Sequence, residues 1–145
     1  MLQVAPQPQV TLGVVEFLNT TPMIHGLDYL EDISLVSNVP SQLMTCLEQG
    51  EVDFALASSI DYQRSHVELK MLPSGVLSSD GSVLTVRVCS KVPIDQVNCL
   101  YCDSDSHTSI ALMQIVMHEQ FVAVPKIIPT NMRSLPEDTS SWPES

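Results

Sequence analysis

Apolar and polar positions along this chain fall into short blocks whose period switches in a regular way. Val10 to Val15 is an apolar run of strand length, with Gly13 allowing close backbone approach. The run then breaks, through Glu16-Phe17-Leu18, into an amide, two hydroxyls and a proline at Asn19-Thr20-Thr21-Pro22. Proline suits the first turn of a helix, and Met23, Ile24, Leu27 and Leu30 then lie along one helical face. Ile33 to Val39 predicts a second strand, ended by Pro40. Ser41 is placed to cap the next helix, whose Leu43, Met44 and Leu47 face inward and whose stop is Gly50. Val52 to Ala57 predicts a third strand, and Ser58-Ser59 caps a short helix through Tyr62. Strands and helices in strict alternation predict a parallel sheet covered on both faces.

The pattern then changes. Residues 75–79 and 82–88 flank Asp80-Gly81, a two-residue hairpin signal. Pro93 to Gln96 reads as a passage to a new unit, Cys99 to Cys102 as a strand, and Ser106 or Thr108 as the cap of a helix running to about Glu119. That helix carries Ile110, Ala111, Leu112, Met113, Ile115, Val116 and Met117 around most of its circumference, so it needs cover on several sides. Val122 to Ile128 predicts one more strand. Residues 1–9 read as a loose lead-in, and 134–145, rich in Pro, Ser and Glu, as a frayed tail. The expected organisation is a first α/β lobe over residues 1–92, the start of a second over 93–130, and a divergent, disordered tail over 131–145.

Composition narrows the function classes. With 145 residues, 44% hydrophobic and 16% charged, the chain can bury a core and is globular in its main body. Its formal net charge of −11, with no Lys/Arg cluster to offset it, repels phosphate backbones and anionic lipid, so neither nucleic acid nor a membrane is an expected partner. No stretch is long and apolar enough to span a bilayer, and the first residues lack the form of a secretory signal, so a cytoplasmic setting is expected.

The chemistry-bearing residues are hydroxyls and amides at strand ends. Thr20 with Asn19, Ser41, Ser58 with Ser59, and the cluster Ser106-His107-Thr108-Ser109 each follow a predicted strand or open a helix, where backbone N–H groups attract anions. Any one cluster has enough to do in capping its own helix. Their recurrence points to a ligand, because open α/β sheets bind ligands beyond the carboxyl ends of their strands. An acidic chain poor in Arg must hold a carboxylate through such groups, each charge-assisted hydrogen bond contributing about 1.5–3 kcal/mol. Asn19 can hold or polarise an oxygen but is no ordinary base. Asp53 and Asp61 fit electrostatic or capping roles better than an acid/base pair. Cys99-x-x-Cys102 puts its thiols on opposite faces of a strand and has no second pair beside it, so Cys46, Cys89, Cys99 and Cys102 read as core residues, not metal ligands.

The order Phe17-Leu18-Asn19 with Pro22, then Pro40-Ser41, Gly50-Glu51-Val52-Asp53, Ser59-Ile60-Asp61-Tyr62, Leu72-Pro73, Asp80-Gly81 and Asp103-x-x-Ser106-x-Thr108-Ser109 resembles the chorismate dehydratases of the futalosine route to menaquinone. The resemblance covers roughly residues 10–130. It implies the two-lobed fold of type 2 periplasmic binding proteins, here with an incomplete second lobe, and a ligand held between lobes. It also implies loss of water from chorismate to give 3-[(1-carboxyvinyl)oxy]benzoate without metal or organic cofactor. Carried over residue by residue, it gives Asn19 and Thr85 catalytic roles and Thr20, Ser41, Ser58, Ser59, Ser106, His107, Thr108 and Ser109 contacts to chorismate or a similar dicarboxylate. The sequence departs from the family at Ser82, where a Pro is usual, at Thr85, where a Ser is usual, and at His107, where an Arg is common. Family members are also much longer, and the ending from Asp138 to Ser145 reads as truncated or frame-shifted, so weak or absent activity and self-association are expected. Two other readings stay open. One is a non-catalytic carboxylate-binding module of the same fold. The other is a sister enzyme acting on a cyclic futalosine derivative, against which Ser59-Ile60-Asp61-Tyr62 counts.

Overall fold

Three parallel strands organise the first part of the chain. The computed structural model describes residues 10–84, 86–121 and 124–134, and the chain divides into two compact units, Met1–Ser78 and Ser79–Ser145. In the first unit, β1 (Val10–Val14), β2 (Ile33–Ser37) and β3 (Phe54–Ala55) form a sheet of order β2-β1-β3. Val10 is in register with Ile33 and Leu12 with Phe54. With β1 central, one crossover leads outward to β2 and the next returns past β1 to β3. Right-handed connections place two such crossovers on opposite faces, the doubly wound pattern.

The core of this unit comprises Val14, Val15, Leu43, Met44, Cys46 and Val52. Helix α2 (Pro40–Glu48) supplies Leu43, Met44 and Cys46 and packs on β1 and β3. Gly13 makes that approach possible, since a Cβ there would lie 2.9 Å from Leu43 Cδ2, with Leu43 fully buried. The strand and the glycine thus act as the sequence predicts.

Several local expectations are corrected. The helix expected from Thr21 is a single turn, α1 (Thr21–Ile24), followed by a separate 3-10 turn at Leu27–Tyr29. Gly26, at φ 85°, interrupts it, so Leu27 and Leu30 do not continue the face of Met23 and Ile24. Ser41 is not the cap of α2. Val39 holds that position and Pro40 the first turn, leaving Ser41 inside the helix. The third strand is paired only over Phe54–Ala55. The hairpin around Asp80-Gly81 does not form among the described residues. Gly81 does take the left-handed backbone a turn requires, at φ 94°, but Leu77, Leu84, Val86 and Val88 are all exposed. A two-stranded hairpin with no sheet or helix to lie on is marginal in water, which accounts for the loss.

In the second unit a 3-10 turn at Ile94–Gln96 leads into β4 (Cys99–Asp103), α4 (His107–Phe121) and β5 (Lys126–Thr130). The strands pair in parallel with Cys99 opposite Lys126, so this is a β-α-β unit. Val97, Leu100 and Met117 form its core, with Ile94, Cys102, Met113 and Ile127 packed around them. The expected strand over Val122–Ile128 is corrected to Lys126–Thr130, because α4 continues to Phe121; residues 122 and 123 lie outside the described set. Met113 and Met117, one turn apart, face the core, while Leu112 and Ile115 on other faces of α4 are exposed. A short 3-10 turn at Met132–Ser134 follows. The lead-in at 1–9, Thr85 and the tail from 135 onward lie outside the described residues. No helix among the described residues is long and apolar enough to cross a membrane.

Candidate functional site

Because β1, β2 and β3 run in parallel, their carboxyl ends share one edge of the sheet, and each delivers one of the hydroxyl- or amide-bearing loops. The loop after β1 carries Asn19 and Thr20, the passage from β2 into α2 carries Ser41, and the segment after β3 carries Ser58 and Ser59. Topology therefore brings together the candidate residues of the first unit along one edge, where open α/β sheets bind ligands.

The loop after β1 is closed from inside. Thr20 is buried, and its hydroxyl oxygen accepts the Phe17 N–H at 3.2 Å. Its proton is shared between the Phe17 carbonyl, 2.7 Å away, and the Val15 carbonyl. Thr21 adds a hydroxyl bond to the Phe17 carbonyl at 3.3 Å. Thr20 thus shapes the loop with the very hydroxyl that was expected to meet a ligand. The neighbouring Leu18 and Asn19 are turned outward and exposed, which leaves the Asn19 amide as the outward-facing polar group of this turn.

Helix α3 (Ser59–Arg64) begins with a reciprocal cap. Ser58 Oγ accepts the Asp61 N–H at 3.1 Å and donates its proton to Asp61 Oδ2 at 2.7 Å. A carboxylate three residues after a capping serine is the sequence form of a capping box. Asp61 is buried, consistent with the capping role expected for it. Ser58 is thereby committed to its helix, while Ser59, at the first helical position, is exposed.

The second unit carries the remaining candidates. The Asp103 carboxylate accepts the Asp105 N–H at 3.2 Å and its carbonyl the Ser106 N–H at 3.0 Å, bending the chain out of β4. The Ser106 carbonyl then accepts the Ile110 N–H at 3.1 Å, the first bond of α4, so Ser106 stands at the cap position. Its hydroxyl donates to the Ser109 hydroxyl at 2.8 Å. Thr108 is exposed, and His107 and Ser109 are half-buried. This start of a 15-residue helix has N–H groups without intrahelical acceptors, framed by hydroxyls.

Two arrangements were not foreseen. Asp53 Oδ2 accepts the Thr11 N–H at 2.7 Å, replacing a ladder partner that the short β3 does not supply. Asn38 bridges two neighbours: its Oδ1 accepts the Val39 N–H at 2.9 Å and its Nδ2 lies 3.6 Å from Cys46 Sγ. The Cys46 thiol is held above its ordinary pKa, chiefly by hydrogen bonding to Glu51 and next by burial, against an opposing contribution from Asn38. Burial alone raises Cys102. No three His, Cys, Asp or Glu side chains among the described residues are grouped as a metal ion would require. Thr85 lies outside the described residues.

Fold and loops together define an α/β protein with polar groups gathered at the carboxyl ends of parallel strands. A family profile described as menaquinone biosynthesis matches residues 10–141. The chain belongs to this menaquinone-biosynthesis family, that of the chorismate dehydratases. It is similar to a chorismate dehydratase of Thermus thermophilus, at 30% identity over 108 residues that make up 74% of this chain and 40% of the relative. The chain therefore spans less than half the length of that relative.

Proposed function

We propose that this chain takes part in the chorismate dehydratase reaction, the loss of water from chorismate to give 3-[(1-carboxyvinyl)oxy]benzoate. The ring hydroxyl leaves with a ring proton as water, and the ring becomes aromatic. The observation that carries the reading is the shared sheet edge bearing Asn19, Ser41 and Ser59 in a chain of this family. In this reading Asn19 donates to a substrate oxygen and Ser41 and Ser59 bind carboxylate, while in the second unit, taken by itself, the Ser106-His107-Thr108-Ser109 helix start offers an anion backbone N–H groups and hydroxyls. Thr20 and Ser58 act on the ligand through the loops they fix, and Thr85 supplies a second catalytic hydroxyl. A net charge of −11 makes local donors necessary for a dianionic substrate. The proposed architecture is that of a type 2 periplasmic binding protein, of which the β2-β1-β3 sheet is a part.

The test is incubation with chorismate, followed by chromatography and mass spectrometry for the enolpyruvyl-benzoate. Product that scales with protein supports the reading. Absence of product together with a calorimetric binding signal for chorismate would replace it with the carboxylate-binding module, and absence of both would remove chorismate as the ligand.

A further inference from the structure

Each polar loop at the edge of the first sheet sets a residue proposed to meet the ligand beside a neighbour that holds the loop. Thr20 bonds to the backbone of its own turn next to Asn19, and Ser58 and Asp61 bond to each other next to Ser59. In the passage from β2 to α2 the corresponding side chain is Asn38, to which the proposed reaction gives no role. It is half-buried and held from several sides. Its N–H donates to the Val14 carbonyl at 3.0 Å, at the end of the central strand. Its Oδ1 accepts the Val39 N–H at 2.9 Å, and its Nδ2 donates to Cys46 Sγ, 3.6 Å away within α2. The opposing pull of Asn38 on the raised Cys46 pKa reflects the same contact.

We propose that Asn38 is a positioning residue for the carboxylate-binding start of α2 and acts through Ser41. The inference rests on the reading of Ser41 given under the proposed function and adds the group that sets its place. Only Val39 and Pro40 separate the two residues, and neither leaves the backbone much freedom. Val39 is extended, at φ −74° and ψ 150°, the region to which a following proline confines it. The ring of Pro40 fixes its own φ. A displacement of the Val39 N–H that Asn38 holds is therefore passed on to Ser41 with little loss. Val39 stands at the cap position of α2 and makes no side-chain cap bond, so the restraint that a capping side chain would supply comes from the residue before it. Cys46 is buried and belongs to the face that packs α2 on the sheet, so the Nδ2 bond ties the loop to the seated body of the helix.

The test uses the full chain, with calorimetry and steady-state kinetics on chorismate. Asn38→Ala is expected to raise Kd and KM roughly three- to tenfold, as loss of one hydrogen bond does, and to leave kcat in place, because a carboxylate is held alike in substrate and transition state. Cys46→Ala takes one partner from Asn38 and should act in the same direction. Cys46→Ser, whose hydroxyl still accepts from Nδ2, should restore the unmodified constants. The Cys46 pair decides the matter even where Asn38→Ala does not fold. A merely structural Asn38 would lower the melting temperature and leave Kd and KM of the folded chain unmoved. That result, or a Cys46→Ser variant that binds as weakly as Cys46→Ala, would overturn the inference alone. Chorismate bound but not converted by the unmodified chain would set the proposed reaction aside, while the shift in Kd still decides the role of Asn38. Chorismate neither bound nor converted would remove the reading and this inference with it.

Discussion

Asp53 and Thr11 are joined twice: the Asp53 carboxylate accepts the Thr11 N–H at 2.7 Å, and the Asp53 N–H donates to the Thr11 carbonyl at 2.9 Å. The side chain extends a ladder that the two residues of β3 leave short. Asp53→Ala is expected to cost about 1–2 kcal/mol, because the bond is charge-assisted but water can reach the freed amide. Asp53→Asn should retain part of it, since its amide oxygen still accepts. Urea unfolding of the two variants measures the difference, and equal stability of Asp53→Ala and the unmodified chain would remove the role.

Gly13 and Leu43 make a second, steric prediction. Gly13→Ala places a methyl 2.9 Å from the end of a fully buried leucine, and overpacking of this kind costs roughly 1–3 kcal/mol. Leu43→Ala costs about 2–5 kcal/mol alone. The double variant should be more stable than the two costs added together, since each relieves the other. Simple additivity in a double-mutant cycle would show that the contact does not limit the packing.

Asn19→Ala separates chemistry from folding. The side chain is exposed, and Thr20 holds the loop through its own bonds. The melting temperature should therefore stay unchanged while the proposed conversion of chorismate is lost. Undiminished turnover would take Asn19 out of the site, and a marked fall in melting temperature would make it a structural residue.

Ser58→Ala tests the cap. Loss of a capping hydroxyl costs about 1 kcal/mol, and here it also leaves the buried Asp61 carboxylate without the Ser58 proton. Ser58→Thr keeps both bonds and should restore most of the stability. Thermal denaturation of the pair checks it.

The Cys46 thiol gives stability a dependence on alkaline pH. Its pKa is raised in the folded chain, so its contribution is fully present below the unfolded thiol value, about 8.5, and is lost as pH rises through the folded value. Melting temperature should fall over that range, and Glu51→Gln should flatten the slope because Glu51 is the main cause of the shift. Alkylation should reach exposed Cys89 before Cys46. Equal rates would contradict the burial of Cys46.

The parallel sheet and its glycine were legible because apolar runs of strand length, broken by Pro40 and Gly50, have few other ways to fold. Helix starts were less legible. Ser41 looks like a cap in sequence, but Pro40 already fits the first turn and shifts the boundary back to Val39. The inward turn of Thr20 left no mark, since a threonine that bonds its own loop reads like one that awaits a ligand. By contrast Ser58 and Asp61 stand at capping-box spacing, and that signal alone would have committed Ser58 to its helix. The hairpin failed for a reason no local window holds, the lack of a surface on which to lie.

Pro129 gives the small sheet of the second unit a direction of growth. The Lys126 N–H donates to the Asn98 carbonyl and the Thr130 carbonyl accepts the Ser104 N–H, so the backbone of residues 126, 128 and 130 points toward β4. Ile127 and Pro129 then point away from it, and Pro129 has no hydrogen to offer there. A strand added outside β5 would meet a gap in its ladder. On the opposite margin Cys99 and Tyr101 present both donor and acceptor, so a further strand would join this sheet beside β4.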